Sequence, residues 1–127
     1  MSEAVLDSSV LIAMINGERI DPLVFSLVED GVMSAVNFGE VLSTLFDLRE
    51  ADYPKSNALL ALLNRIEPFT ENQARMCGVL RASTKHLGLS MGDRACFALA
   101  LELGAEVYTA DRAWAQVAVG CKVHLVR

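Results

Sequence analysis

Residues 4–15 read AVLDSSVLIAMI, and one residue in this stretch carries a charge. Asp7 follows a short apolar run typical of a strand and precedes two serines and a second apolar run. A lone carboxylate at the end of a buried strand is costly to remove from water. We therefore expect Asp7 to mark the end of the first strand and to serve more than a helix-capping role.

Apolar runs and helical patterns alternate along the rest of the chain. The first helix is predicted to stop at Asn16-Gly17, and further helices are predicted over 21–30, 37–51, 55–65, 71–87 and 90–104. Strands are predicted over 31–36, 66–69, 106–110 and 122–126, with a short helical turn before the last. This alternation indicates an α/β fold with a mostly parallel central sheet flanked by helices. Coverage of both sheet faces explains why AVL is apolar throughout.

The length and composition indicate one globular domain, which we expect to cover residues 1–127. The hydrophobic content is 53%, and no apolar run reaches the roughly 18 residues that a membrane span needs. The acidic N-terminus lacks the basic segment of a signal peptide. Three cysteines without CxxC spacing (Cys77, Cys96 and Cys121) indicate reduced thiols and a cytoplasmic location.

The net charge of −5 argues against a protein that binds nucleic acid by simple electrostatics. The charge is unevenly spread, because residues 1–63 carry a net −7 and residues 64–127 a net +2. Two explanations stay open: a chance difference between solvated helix faces, or an acidic site beside a mildly basic wall.

Four acids lie at junctions between predicted elements: Asp7 and Asp111 follow strands, and Glu40 and Asp93 lie in the first turns of helices. In an open parallel sheet, the carboxyl ends of the strands share one edge, and ligands bind there. Each acid also has a simpler explanation. NFGE (37–40) and SMGD (90–93) resemble capping boxes, with their acids in the first helical turn, and Asp7 and Asp111 could each cap a helix.

Carboxylates gathered at one edge repel one another unless a cation lies between them. Mg²⁺ and Mn²⁺ prefer carboxylate and water oxygens. The two histidines, His86 and His124, are expected in core or surface roles, which argues against zinc chemistry. A carboxylate-held Mg²⁺ suits phosphate ligands and indicates phosphodiester hydrolysis by a metal-activated water.

The chain also resembles a PIN domain, the nuclease fold of VapC-type toxins of type II toxin–antitoxin systems. The motifs that resemble the family's four acidic motifs, in order and spacing, are VLDSSVLIA (5–13), SAVNFGEVL (34–42), LSMGDRACFALAL (89–101) and VYTADRAW (107–114). The resemblance implies a metal-dependent ribonuclease that uses Mg²⁺, with Mn²⁺ as the alternative ion. It implies that Asp7 and Asp93 are the main metal ligands. Glu40 would bind the metal through water or orient the nucleophile, and Asp111 would complete the site or hold a second ion.

Further residues around these motifs are candidates for supporting roles. Hydroxyl groups that could orient the metal ligands belong to Ser8, Ser9 and Thr109, although Ser8 could equally start the helix. Arg94 and Arg112 each follow a site acid and could contact RNA phosphates or neutralise their neighbours. Trp114, the single tryptophan, is expected to pack in the core rather than to stack on a base.

The resemblance implies three partners: an RNA substrate, a cognate antitoxin protein whose tail covers the site, and a second copy in a homodimer formed through the early helices. No membrane partner is expected. The apolar excess of residues 41–63 suits either an interface or the core.

Two other functions compete with the enzyme. A signalling receiver domain shares the length and fold class, but it needs adjacent acids after the first strand, and Asp7 is followed by two serines. A non-catalytic PIN-like module that binds RNA or protein would keep the fold without turnover. The intact set of four acids favours the enzyme.

Overall fold

The structure is a computed structural model that describes residues 3–48, 57–58 and 60–127. Its strands are β1 (Ala4–Leu6), β2 (Gly31–Ser34), β3 (Arg65–Glu67), β4 (Glu106–Thr109) and β5 (Val123–Leu125). Its helices are α1 (Ser8–Ile15), α2 (Val24–Asp30), α3 (Ala35–Leu48), α4 (Glu71–Thr84) and α5 (Met91–Leu103). Turns of 3-10 helix cover Lys85–Leu87 and Arg112–Gln116.

The five strands form one parallel sheet in the order β3-β2-β1-β4-β5. Strand β1 is central, and Val5 is in register with Val32 of β2 and with Val107 of β4. The predicted α/β fold with a parallel central sheet is therefore confirmed. Because all strands run in one direction, Asp7 after β1 lies at the same sheet edge as the end of β4 at Thr109.

Successive residues of the central strand face opposite sides of the sheet. Leu6 packs with Val10 and other residues of α1, α2 and α3 on one side. Val5 packs with Phe97 and Trp114 on the side covered by α5. Val5 and Leu6 are both fully buried, which accounts for the continuous apolar run before Asp7.

Helix α3 begins at Ala35, two residues before the predicted start, and β2 ends at Ser34 rather than at residue 36. The reason is local: Ser34 Oγ accepts the N–H of Val36 at 3.2 Å and provides the side-chain oxygen that a helix start favours. Glu40 consequently lies beyond the first turn of α3. The predicted capping box over 37–40, with Glu40 in the first turn, is wrong.

Other boundaries differ less. Helix α2 begins at Val24 instead of at Pro22, although Asp21 Oδ1 accepts the N–H of Leu23 at 2.9 Å just before it. The strand predicted over 66–69 lies at 65–67. Of the helix predicted over 55–65, positions 57–58 and 60–61 are helical and Arg65 belongs to β3, while 55, 56 and 59 lie outside the described residues. Gly88 and Gly104 end their helical segments with positive φ, as predicted.

None of the described helices combines the length and apolar character that crossing a bilayer requires. The three cysteines are free; Cys77 and Cys96 are buried, and Cys121 is half-buried.

Gly31 starts β2 beside the central strand and has no room for a side chain. A methyl group there would lie 2.6 Å from Leu6 Cδ1 and 3.0 Å from the carbonyl oxygen of Leu27. We expect Gly31→Ala to lower the free energy of unfolding by about 1–3 kcal/mol, because buried Leu6 must shift. Urea denaturation measures the change. Gly78→Ala in α4, where a methyl group meets nothing within 4 Å, is the control and should not destabilise. Equal stability of Gly31→Ala and the parent would contradict the tight contact.

Candidate functional site

Asp7 ends the central strand and is only 4% exposed. Its backbone N–H donates to the carbonyl oxygen of Tyr108 at 3.0 Å, which extends the pairing of β1 with β4. Although Asp7 occupies the N-cap position of α1, its carboxylate makes no capping hydrogen bond. Helix capping therefore does not explain this buried charge.

Two hydroxyl groups hold one oxygen of the Asp7 carboxylate. Ser9 Oγ donates to Asp7 Oδ2 at 2.6 Å, and Thr109 Oγ1 donates to the same oxygen at 3.0 Å. Each hydroxyl in turn accepts a backbone N–H, Ser9 from Ala110 at 2.9 Å and Thr109 from Asp111 at 3.0 Å. The incoming N–H groups leave each hydroxyl hydrogen free to face the carboxylate. Ser9 and Thr109 thus fix the direction of Asp7.

The negative charge of Asp7 is disfavoured by its surroundings. Burial is the main cause that raises the pKa of Asp7, to about 6. The hydrogen bonds from Ser9 and Thr109 lower this pKa in part, and the charges of Asp93 and Glu40 raise it further. Acids from β1, α3 and α5 are therefore close enough in space to repel one another. The sequence prediction that Asp7, Glu40 and Asp93 share one sheet edge agrees with this arrangement.

Glu40 is held by Asn37, which lies about one helical turn before it. Asn37 Nδ2 donates to Glu40 Oε1 at 2.8 Å and to the carbonyl oxygen of Gly92 at 2.9 Å. Asn37 is fully buried, so this amide joins α3 to the first turn of α5. A methyl group at position 92 would lie 2.5 Å from Glu40 Oε2, so any larger residue there requires the Glu40 carboxylate to shift.

Sequence analysis missed both Asn37 and Gly92 as site residues. The NFGE motif resembles a capping box, a pattern that involves no side-chain contact between Asn37 and Glu40. Residues three apart in a helix lie on the same face, so Asn37 can bond the Glu40 side chain directly once the helix starts earlier. The spacing of three residues is therefore the sequence signal that points to Asn37. No sequence signal points to Gly92, because its contact with Glu40 joins elements that are distant in the chain.

Asp93 and Asp111 both cap helical segments, as the simpler explanation from the sequence predicts. Asp93 Oδ2 accepts the N–H of Ser90 at 2.9 Å, and Ser90 Oγ accepts the N–H of Asp93 at 3.1 Å, which completes a capping box. Asp111 Oδ1 accepts the N–H of Ala113 at 3.0 Å. Asp93 nevertheless raises the pKa of Asp7, whereas exposed Asp111 is not among the groups that do so. Asp111 lies beside Ser9 in a surface groove, and its role as a ligand stays a prediction.

Asp7, Glu40 and Asp93, which we call the acid cluster, offer the donor chemistry that a hard divalent cation needs. In each acid, protein hydrogen bonds hold one oxygen: Asp7 Oδ2, Glu40 Oε1 and Asp93 Oδ2. The second oxygen of each accepts no hydrogen bond from a described residue. Carboxylate oxygens suit Mg²⁺ and Mn²⁺, and a cation would offset the mutual repulsion. Within the described ranges, however, no three His, Cys, Asp or Glu side chains are placed to hold an ion as they stand. The fit therefore rests on donor chemistry and charge.

The predicted phosphate-contacting arginines differ in their surroundings. Arg94 Nη1 donates to the carbonyl oxygen of Cys77 at 2.7 Å, which ties α5 to α4. Arg112 is exposed and lines the groove that also contains Asp111. Ser8 is the first residue of α1, and its hydroxyl makes no hydrogen bond with a described residue. The roles proposed for Arg94, Arg112 and Ser8 stay predictions.

Trp114 and the two histidines lie away from this chemistry. Trp114 is 1% exposed and packs against Phe97 with ring centroids 4.7 Å apart, which confirms the predicted core role. His86 is exposed. His124 Nε2 contacts Glu106 Oε1 at 3.2 Å on neighbouring strands. Neither histidine belongs to the acid cluster.

The raised pKa of Asp7 predicts how stability depends on pH. Folded Asp7 holds its proton up to about pH 6, whereas a carboxyl with the ordinary pKa of 3.8 loses it earlier in the unfolded chain. The folded state therefore binds more protons in this window, and stability falls as pH rises through it. Near neutral pH, with a chelator present, we expect Asp7→Asn to raise the free energy of unfolding by roughly 3 kcal/mol. Urea denaturation at several pH values measures the difference, and a gap that persists unchanged down to about pH 4 would contradict this account.

The contact between Gly92 and Glu40 predicts a change in cation binding. Gly92→Ala should displace the Glu40 carboxylate and weaken Mn²⁺ binding about 10-fold, because groups that position ligands contribute this much to metal affinity. Calorimetric titration with Mn²⁺ measures the affinity. Gly39→Ala in α3, where a methyl group meets nothing within 4 Å, is the matched control and should bind as the parent does. Identical affinities for both variants would show that the Gly92 contact does not position Glu40.

Comparisons with known proteins agree with this architecture. A toxin–antitoxin complex from Klebsiella pneumoniae is similar in structure with a TM-score of 0.69 and 19% identity, over 90% of this chain and 92% of that one. DNA-bound VapBC from Salmonella typhimurium has a TM-score of 0.73 and a sequence identity of 16%, over 100% of both chains. VapBC-5 from Mycobacterium tuberculosis has a TM-score of 0.69 and a sequence identity of 22%, over 98% of both chains. At these identities, the likeness establishes a shared fold.

Comparison with curated proteins finds no match. The family model of the PIN domain matches residues 4–120, a range that contains all four acids of the sequence motifs. The chain therefore belongs to the PIN domain family.

Proposed function

We propose that this PIN domain is a divalent-cation-dependent endoribonuclease and the toxin component of a type II toxin–antitoxin pair. The observation that carries the proposal is the crowding of negative charge around Asp7. Burial and the charges of Asp93 and Glu40 raise its pKa to about 6. At the carboxyl edge of a parallel sheet, such a cluster suits a cation that binds phosphate.

Each acid has a distinct part in the proposed reaction. Asp7 and Asp93 would hold the cation, Glu40 would add a third oxygen, and Asp111 is the candidate for a fourth. A bound Mg²⁺ or Mn²⁺ would supply an activated water and offset charge on the phosphate oxygens.

The contacts around the acids support separate roles for individual oxygens in this proposal. Ser9 and Thr109 occupy Asp7 Oδ2, so Asp7 Oδ1 is the oxygen available for the cation. Asn37 occupies Glu40 Oε1, so Glu40 Oε2 is left to orient a water or to accept its proton.

The proposed partners are an RNA substrate, a cognate antitoxin and a second copy of the chain. Three proteins of similar fold are described as toxin–antitoxin or VapBC assemblies. A basic antitoxin side chain would be attracted to the acid cluster for the same electrostatic reason as a cation. For the homodimer, support comes from Leu23 and Phe25 near the start of α2, which are 75% and 53% exposed.

Cleavage of purified RNA tests the proposed activity. With Mg²⁺ or Mn²⁺, wild-type protein should cleave RNA, and Asp7→Asn should lower the rate at least ~100-fold because a metal ligand is lost. Gel analysis of the fragments measures the rate. Asp47→Asn changes an exposed acid of α3 and is the control, with the expected rate of the wild type. Full activity of Asp7→Asn would refute the role of this carboxylate, and cleavage that resists a chelator would refute the metal dependence.

A non-catalytic PIN-like module that binds RNA or protein is the second candidate function. One observation favours it: in the part of the chain that the structure describes, no three acidic, histidine or cysteine side chains are already grouped around an ion position. Wild-type protein that binds RNA and leaves it intact with both ions would select this function.

A further inference from the structure

A surface groove leads from Ser9 and Asp111 toward the connection between α1 and α2. We call it the arginine groove and define it by Arg19, Arg112 and Arg127. Its first part has a volume of about 630 Å³ and is lined by Ser9, Ala110, Asp111, Arg112 and Arg127. Its second part, of about 560 Å³, shares Arg112 and Arg127 with the first and extends to Arg19. Three separate segments of the chain therefore contribute an arginine to one continuous surface.

Two of these arginines keep their hydrogen-bonding capacity. Arg19 and Arg112 are exposed, and neither makes an ion pair or a side-chain hydrogen bond with any residue that the structure describes. By contrast, Arg65 pairs with Glu3, and Arg75 of α4 pairs with its own helix neighbour. A free guanidinium group offers a planar set of donors that matches two phosphate oxygens at once.

Arg127 joins the wall of the groove to the buried site. Its Nε donates to the carbonyl oxygen of Ala110 at 3.1 Å, and its Nη1 pairs with Glu18. The N–H of Ala110 donates to Ser9 Oγ, which donates to Asp7 Oδ2. The groove therefore begins one hydroxyl group away from the Asp7 carboxylate.

The groove is also less negative than the chain as a whole. Its acids are already engaged: Asp21 and Asp111 each accept a backbone N–H, and Glu18 pairs with Arg127. The formal charges of these acids and of the three arginines balance, although the whole chain carries −5. An anionic ligand meets here two guanidinium groups, those of Arg19 and Arg112, that have no partner among the described residues.

We propose that the arginine groove binds the phosphodiester backbone of an RNA strand on one side of the bond that is cleaved. This inference rests on the proposed ribonuclease function and deepens it, because it names the path of the substrate away from Asp7. Backbone rather than base recognition follows from the donors present, since arginine contacts to phosphate position a strand without reading its sequence.

Salt-dependent RNA binding tests the groove. Fluorescence anisotropy of a fluorescein-labelled single-stranded RNA, with full-length protein and a chelator, gives the affinity at several salt concentrations. Losing two phosphate contacts should reduce the slope of log affinity against log salt by about 1.4, and losing one by about 0.7. We expect the larger change for the double variant Arg19→Gln/Arg112→Gln and the smaller change for each single variant.

Arg81→Gln is the matched control, because it removes the same charge from an exposed position of α4, which packs on α5 across the sheet from α1. The control should keep the wild-type slope. Melting curves check that every variant is folded. Equal slopes for the double variant and for Arg81→Gln would overturn the proposal.

Cleavage kinetics separate the groove from the proposed function. In the presence of Mg²⁺, the double variant should show a raised KM for RNA, and Arg81→Gln should not. If wild-type protein cleaves RNA and the double variant has a wild-type KM, the groove proposal fails and the ribonuclease proposal stands. If wild-type protein binds RNA through Arg19 and Arg112 without cleaving it, the groove proposal stands and the ribonuclease proposal fails.

An acidic protein segment is the competing occupant, and polyglutamate serves as its probe. We expect the groove to bind RNA more strongly than polyglutamate at equal charge. If the double variant loses polyglutamate binding as strongly as RNA binding, the groove accepts acidic chains in general, and its assignment to RNA is wrong.

Discussion

A carboxylate at the end of a fully buried strand loses most of its hydration, and only part of that loss is offset by hydrogen bonds. In this protein, Ser9 and Thr109 both donate to Asp7 Oδ2. Each donor hydroxyl is oriented by a backbone N–H from the segment that follows β4. These bonds exist only when β4 lies beside β1. The hydrogen bonds that support the Asp7 carboxylate therefore require the parallel pairing of β1 with β4.

The neighbouring acids further disfavour the charged form of Asp7. Glu40 and Asp93 add repulsion, and Asn37 holds Glu40 in place from a fully buried position. A chain selected for stability alone would separate these charges or remove them. Their retention at one edge of the sheet fits the general observation that functional sites are kept at the expense of stability. The same reasoning applies to Gly92, where a side chain would favour the helix and displace Glu40.

Much of the fold could be predicted from the sequence, because its signals are local. The apolar run before Asp7, and Gly88 and Gly104 after their helices, each mark a boundary within a few residues. Asp7 and Asp111 could also be assigned to the ends of strands, and Asp93 to the start of a helix, from the sequence alone. The errors arose where two local patterns competed: Ser34 starts α3 in place of the residues of the NFGE motif.

Contacts between distant positions were beyond local reasoning. The hydrogen bond from Asn37 to Gly92 spans 55 positions, and the one from Thr109 to Asp7 spans 102. The choice between Ser8 and Ser9 as the partner of Asp7 depends on where each hydroxyl faces in the first helical turn. Arg127 lies near the site because it contacts Ala110, and no sequence motif indicates this contact.

The central place of β1 in the sheet has a consequence for the order in which the chain is made. A ribosome produces β1 about a hundred residues before its neighbour β4 and the hydroxyl of Thr109. Contacts between such distant positions form late in folding. A nascent polypeptide can therefore hold Asp7 without the partners that orient it, and the supported carboxylate arises only after β4 and the segment that follows it have been made.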